Sequence, residues 1–176
     1  MKCTDHLTQE HKIILRALDV LDQMAARVEQ DQPVETRDVD AILRFLRAFA
    51  DDHHQGEEES ALFPELMRTS AAAQPAVRQL LFEHDRERSL VGGLEDSLCT
   101  KKGMEFSKFA GRLADLLRNH IQKEDKILFD IVERSLTTEQ DERVAAELNR
   151  FQIKLDLLAD LQRLEWTYLR RVASHA

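Results

Sequence analysis

Apolar residues recur three and four positions apart along most of the chain, which is the spacing of one buried face of an α-helix. Proline and glycine clusters interrupt this pattern only at a few places, and each interruption marks a connection between helices. The pattern predicts four helices, which run from about Asp5 to Glu29, from Thr36 or Arg37 to about Pro64, from Pro75 to the segment CTKKG, and from about Met104 to Arg134.

A fifth helix follows these four. The segment Thr137-Thr138-Glu139-Gln140 is a capping box, and apolar residues continue at helical spacing from Val144 to Leu169. Because the connections between the first four helices are short, we expect antiparallel neighbours in an up-down-up-down four-helix bundle, hence an all-α fold. The bundle takes residues 1–135, and residues 136–176 form a long C-terminal helical extension of the same domain. That extension either packs along the outside of the bundle or pairs with a second copy.

Histidines and glutamates interrupt the apolar face of each bundle helix. On the second and fourth helices a histidine is followed four residues later by a glutamate, so the two side chains are neighbours on one face. Six residues share this inward placement: His11 on the first helix, His54 and Glu58 on the second, His84 on the third, and His120 and Glu124 on the fourth.

The inward polar residues belong to an internal two-fold repeat. HQGEEESALFPEL begins at His54 and HIQKEDKILFDIV at His120, and each follows a helix that carries a Glu-His pair. A single inward histidine is usually a hydrogen-bonded core residue, and a single His-x-x-x-Glu is usually a solvated ion pair. Burying Glu58 and Glu124 without a positive partner would be costly, however. The combined set therefore predicts a pair of metal ions on the bundle axis.

Other polar residues near these positions are expected to be peripheral. His53 points about 100° away from His54, which places it beside the ligands or at the surface. His6 and His175 lie near the termini without evident partners. We expect five acidic residues at the solvated edges of the helices: Glu10, Glu57, Glu59, Glu83 and Asp125. Two of them, Glu10 and Glu83, could instead accept hydrogen bonds from ligand histidines.

Three more residues complete the candidate set. Glu87 has two interpretations, as a further metal ligand or as an ion-pair partner of Arg88 or another arginine. Cys3 is expected to be a tail thiol and Cys99 a helix-end residue, because two cysteines without a Cys-x-x-Cys pair are too few for a disulfide framework.

Charge and hydropathy exclude several classes of partner. The net charge of −8 makes nucleic acid and an anionic membrane surface poor partners. The N-terminal residues lack the apolar core of a signal peptide, and no apolar run reaches membrane-spanning length. We therefore expect a cytoplasmic protein.

These motifs together resemble the hemerythrin-like (HHE cation-binding) domain family, over roughly residues 5–135. The resemblance implies a non-haem di-iron centre with an oxo or hydroxo bridge, in which the four inward histidines are terminal ligands and Glu58 and Glu124 are bridging ligands. Oxygen-carrying hemerythrins have a fifth histidine where this chain has Arg88. The set of four histidines and two glutamates is therefore more similar to bacterial relatives implicated in nitric-oxide stress and repair of iron centres.

The function implied by this resemblance is the binding or sensing of O₂ or NO, or the handling of iron. One alternative is a di-iron enzyme that consumes peroxide or NO, or a protein that repairs iron centres. Another is a helical interaction protein without a functional metal, with a possible homodimer through the C-terminal helix. Manganese or zinc could substitute for iron, because imidazole and carboxylate suit several divalent ions. Apolar walls that include Ile14, Phe49 and Leu117 would keep water from the centre.

Overall fold

The computed structural model describes residues 2–99 and 103–169, and within them every regular element is helical. The predicted all-α class is confirmed. Residues 100–102 of the CTKKG connection and residues 170–176, with His175, lie outside the described residues. The α-helices are α1 (Cys3–Glu29), α2 (Thr36–Phe45), α3 (Phe63–Thr69), α4 (Gln74–Cys99), α5 (Gly103–Lys123), α6 (Phe129–Ser135), α7 (Thr138–Leu148) and α8 (Leu155–Tyr168).

Three π-helical segments join some of these helices into longer ones. Leu46–Gln55 and Glu58–Leu62 connect α2 to α3, so the second bundle helix is continuous over residues 36–69. Glu124–Leu128 connects α5 to α6, so the fourth bundle helix covers residues 103–135. Pro64 falls in the first turn of α3, and the second bundle helix continues five residues past it to Thr69. Pro64 comes two residues after the π-helical segment Glu58–Leu62, where the helix has already departed from the i→i−4 hydrogen-bond pattern that a proline breaks.

The four bundle helices pack as a closed set. α5 lies against both α1 and α4, and the π-helical segment Leu46–Gln55 of the second bundle helix also contacts both α1 and α4. Each helix therefore has two helical neighbours, as a four-helix bundle requires. The up-down-up-down order of these helices stays a prediction.

A polar layer divides the interior into two apolar cores. On α1, Leu7 belongs to one core and Ile14 to the other, and the buried His11 lies between them. The same division occurs on the other three bundle helices, always at the inward histidine or the His-x-x-x-Glu pair. We name the core on the Ile14 side the large core and the core on the Leu7 side the small core. Cys3 is not a tail thiol, since it is fully buried in the small core at the start of α1.

The C-terminal extension consists of two helices, so the prediction of one long helix was wrong. Thr137 and Gln140 form the expected capping box at the start of α7. α7 places Val144 and Leu148 in the small core, whereas α8 places Leu157, Leu161 and Leu164 in the large core. The chain breaks between them because the two halves cover different cores. The extension thus packs along the outside of its own bundle.

A buried charge cluster attaches α8 to α2. The carboxylate of Asp38, which is 2% exposed, accepts a hydrogen bond from Arg163 at 2.5 Å and another from the Tyr168 hydroxyl at 3.0 Å. Burial and this hydrogen bond to Asp38 raise the pKa of Tyr168 to about 12. A buried carboxylate that satisfies two donors is expected to contribute more than a surface ion pair.

Removing this carboxylate should loosen the C-terminal helix. We expect Asp38→Ala to lower the free energy of unfolding by about 2 kcal/mol, because the mutation leaves the buried Tyr168 hydroxyl and the partly exposed Arg163 guanidinium without their acceptor. Asp156→Ala is a matched control, since Asp156 also lies in the first turn of a helix but pairs with Arg44 at the surface. The control should cost less than about 1 kcal/mol. Chemical denaturation measures both, and equal losses would contradict the role given to Asp38.

Candidate metal centre

Six polar side chains converge in the layer between the two cores. All are buried, and none exceeds 3% exposure. Their donor atoms form two groups of four, in each of which the atoms lie within 4.8 Å of one another. Glu58 and Glu124 belong to both groups. His11 and His54 complete one group, and His84 and His120 complete the other, so the structure brings together all six residues that the sequence singled out.

Glu124 reaches both groups with its two oxygens. Its Oε2 lies 3.2 Å from Nε2 of His11, and its Oε1 lies 3.2 Å from Nε2 of His120. The carboxylate therefore stands between a histidine of one group and a histidine of the other. This is the placement expected of a carboxylate that bridges two ions.

Glu58 has the equivalent position on the opposite helix. Its Oε1 lies 3.8 Å from Nε2 of His54, and its Oε2 lies 3.4 Å from Nε2 of His84. Glu58 and Glu124 thus each contact one histidine of either group. The arrangement carries the two-fold repeat of the sequence into three dimensions.

The glutamates of the two Glu-His pairs, Glu10 and Glu83, each fix the orientation of a histidine on another helix. Nδ1 of His54 lies 2.8 Å from Glu10 Oε2, and Nδ1 of His120 lies 3.0 Å from Glu83 Oε2. An ionised carboxylate can only accept a hydrogen bond, so the proton stays on Nδ1 and the lone pair of Nε2 faces the cluster. Such partners orient metal-binding imidazoles and make them more basic.

The other two histidines use the acidic residue that follows each inward glutamate. Nδ1 of His11 lies 2.7 Å from Asp125 Oδ1, and Nδ1 of His84 lies 2.7 Å from Glu59 Oε1. All four imidazoles therefore present Nε2 to the two shared carboxylates. Asp125 is exposed and Glu59 is partly exposed, so both lie at the solvated edge as expected, and each also contacts a ligand histidine.

The other three acids of that group are not at the solvated edge. Glu57 is fully buried, and Glu10 and Glu83 are each 3% exposed, so the hydrogen-bonding alternative holds for the last two. The sequence does contain a signal for four of these acids. A glutamate precedes the histidine in both halves, and an acid follows the inward glutamate in both halves.

Two phenylalanines close the cluster at its small-core side. The ring of Phe129 stacks on His11 with 5.6 Å between centroids, and that of Phe63 stacks on His84 with 5.7 Å. Each phenylalanine belongs to the repeated Leu-Phe of the two matching stretches. This contact explains why the repeat extends beyond the charged residues.

Several buried atoms of the cluster lack hydrogen-bond partners. They include Nε2 of His11 and of His54, and both oxygens of Glu58 and of Glu124. Each such atom would cost about 1–3 kcal/mol if nothing satisfied it. Two cations among these atoms would satisfy all of them, and a set of imidazoles and carboxylates suits iron, manganese or zinc. The residues present therefore fit a two-metal centre.

The pKa values of the cluster reflect the same need for positive charge. Burial, with the negative charge of Glu124, raises the pKa of Glu58 to about 8. Burial also opposes the ionisation of Glu124, but the His120 and His11 imidazoles outweigh it and hold the pKa of Glu124 well below its usual range. At His11, burial is outweighed by Asp125 and Glu124, which raise the pKa to about 10. Metal binding at the cluster should thus release protons.

Glu87 follows neither sequence interpretation fully. It is absent from both four-residue groups, and Arg88 instead pairs with Asp51 and Glu59. One oxygen of Glu87 accepts a hydrogen bond from Gln55, while Oε1 lies 3.7 Å from Nδ1 of His120 and has no hydrogen-bond partner. Burial raises the pKa of Glu87 to about 7.

A small cavity adjoins Glu87 and Gln55. Its volume is about 10 Å³, roughly the room that one water molecule needs. Its remaining walls are mostly apolar and include Leu117, one of the predicted wall residues. The other two, Ile14 and Phe49, are fully buried in the large core.

The π-helical segments coincide with the cluster. His54 lies near the end of Leu46–Gln55, and Glu58 and Glu124 each begin a further π-helical segment. Short π-helical insertions occur frequently at functional sites. Apolar periodicity gave no sign of them.

A helical bundle with a buried layer of histidines and bridging carboxylates is a metal-binding bundle. The chain belongs to the hemerythrin HHE cation-binding domain family, whose model matches residues 3–132. The resemblance inferred from the motifs is confirmed. A search of curated proteins found no match to this chain. None of the described helices has the length and apolar character needed to cross a membrane.

The partners of Nδ1 should control metal affinity. We expect Asp125→Asn to weaken metal binding about 10- to 100-fold, because His11 loses a charged acceptor while every metal-facing atom remains. Asp130→Asn is a matched control five residues along the same helix, where Asp130 pairs with Arg134 at the surface. Competition with a chelator of known affinity measures both. Equal affinities for the two variants would show that the Asp125 contact has no bearing on the metal.

Proposed function

We propose that this chain is a non-haem di-iron protein that binds O₂ or NO. The observation that supports it most strongly is the common orientation of four imidazoles, whose Nδ1 atoms face carboxylates and whose Nε2 atoms face Glu58 and Glu124. His11 and His54 hold one ion, His84 and His120 hold the other, and the two glutamates bridge. When bound, iron supplies a redox-active centre that can coordinate a small diatomic ligand.

The ligand set leaves room for such a molecule. Each ion receives two imidazole nitrogens and two carboxylate oxygens, which is fewer than the six ligands of an octahedral site. The small cavity beside Glu87 and Gln55 has room for about one water molecule, which excludes an organic substrate. Its lining combines apolar side chains with the charged side chains of Arg47, Asp51 and Arg88.

Turnover of peroxide or NO is a second candidate function, and one observation favours it. Glu87 is buried, and its unpaired Oε1 lies 3.7 Å from Nδ1 of His120, so Glu87 could exchange a proton with that imidazole. Multiple turnovers of peroxide or NO by the iron-loaded protein, abolished in Glu87→Gln, would identify an enzyme. Stoichiometric and reversible binding that survives this change would identify a binding or sensing protein. Repair of iron centres would require iron to leave the protein for an acceptor.

Metal analysis tests whether the protein contains the two irons that the proposal requires. Protein purified aerobically should contain two irons per chain, as other di-iron bundles do, and should show ligand-to-metal charge-transfer absorption. Glu124→Gln should lose iron and melt at a lower temperature, because metal binding stabilises the folded chain. Glu133→Gln is the control, since Glu133 lies on the same helix and is half exposed.

Other outcomes would point elsewhere. A colourless protein that contains only zinc would retain the metal centre but remove the case for O₂ or NO. A metal-free protein whose melting temperature does not respond to added Fe²⁺ would contradict the metal centre and leave an interaction role for the C-terminal helices. In that case Leu155 and Trp166, which are exposed on α8, would be the first residues to examine in a homodimer.

A further inference from the structure

A second cluster of histidines and glutamates lies on the outer side of Glu10. It is built from two pairs spaced four residues apart, His6 with Glu10 on α1 and His53 with Glu57 on the second bundle helix. Each pair places its two side chains on one face of its helix. None of these residues has its donor atoms in the two groups that form the candidate di-iron centre.

The donor atoms of this cluster face one another closely. Nε2 of His6 lies 3.3 Å from Glu10 Oε1 and 3.2 Å from Glu57 Oε2. Nε2 of His53 lies 2.7 Å from Glu10 Oε1 and 3.7 Å from Glu57 Oε1. The donor atoms of His6, Glu10 and Glu57 all fall within 4.8 Å of one another. His53 lies outside that group of three but contacts both of its carboxylates, so two imidazoles approach the same two glutamates.

Hydrogen bonding alone does not explain the burial of Glu57. Its side chain is fully buried, and its Oε2 has no hydrogen-bond partner. Within residues 2–99 and 103–169, no lysine or arginine pairs with Glu57 or with Glu10. A structural His53–Glu10 pair would account for Glu10 but would leave Glu57 fully buried with one hydrogen bond, between its Oε1 and Nε2 of His6 at 3.3 Å, and with Oε2 unsatisfied, which is costly.

We propose that His6, Glu10, His53 and Glu57 bind a third cation, separate from the di-iron centre. Two nitrogens and two carboxylate oxygens suit a divalent transition-metal ion, with Zn²⁺ as the simplest case. The imidazole of His6 is 19% exposed, which gives this site a contact with solvent that the buried di-iron centre lacks.

One carboxylate of the third site, that of Glu10, is also hydrogen-bonded to a histidine of the di-iron centre. Oε1 of Glu10 faces His6 and His53, while Oε2 accepts the Nδ1 hydrogen of His54. A cation on Oε1 withdraws charge from this hydrogen bond and so lowers the basicity of the His54 imidazole. Occupation of the outer site should therefore alter the electronic properties of the inner one.

His6→Gln separates the two sites experimentally. Glutamine is a good helix former at this partly exposed position and does not replace an imidazole as a ligand. Metal-free protein is titrated calorimetrically with Zn²⁺, and bound zinc is counted after dialysis. We expect three equivalents for the unmodified protein and for the control Gln9→Ala, an exposed position on α1, but two for His6→Gln.

The results distinguish this proposal from the proposed function. Equal zinc contents in the unmodified protein and His6→Gln would overturn the third site while leaving the di-iron centre intact. In Glu124→Gln, which is designed to disable the inner centre, one equivalent should remain and should vanish in the double variant with His6→Gln. Failure of that equivalent to appear would also overturn the third site.

A spectroscopic measurement tests the coupling through Glu10. Protein loaded with iron should shift its charge-transfer absorption when Zn²⁺ is added, because His54 becomes a weaker donor. The shift should be absent in His6→Gln and present in Gln9→Ala. A shift in both variants would mean that zinc acts at the inner centre, contrary to the proposal.

Discussion

The burial of Glu58 and Glu124 is the constraint on which the rest of this structure depends. Two fully buried carboxylates in the middle of a bundle repel each other and have lost their hydration. Asp125 and Glu124 outweigh burial and raise the pKa of His11, whereas burial and the negative charge of Glu124 raise the pKa of Glu58. Metal cations resolve the conflict fully, so the free energy of metal binding becomes part of the stability of the fold.

The repeat in the sequence has a physical reason, because in both halves an acidic residue on one helix orients a histidine on another. Along α1, Glu10 orients His54 on the second bundle helix, while the next residue, His11, is oriented by Asp125 on the fourth. The pair Glu83 and His84 does the same in the other half. Because every support crosses to another helix, the ligand geometry forms only when the bundle is assembled.

Sequence reasoning succeeded where periodicity carries the information. His54 and Glu58 share an apolar stripe, so their inward placement follows from the helical repeat. Glu57 and Glu59 were assigned to solvent because consecutive side chains on an α-helix point about 100° apart. The π-helical segment that begins directly after Glu57 and includes Glu59 has a wider turn than an α-helix. Neighbouring helices also place His6 beside Glu57 and His84 beside Glu59, so both acids have histidine partners. Neither effect is visible in one helix considered alone.

The C-terminal extension is tied to the metal layer as well as to the cores. Between α7 and α8, Phe151 places its ring 6.1 Å from that of His53, and the missing side chain of Gly56 gives the phenylalanine room. α7 and α8 cover the small and the large core on either side of this contact. The extension therefore contacts the polar layer at His53 as well as the two apolar cores on either side of it.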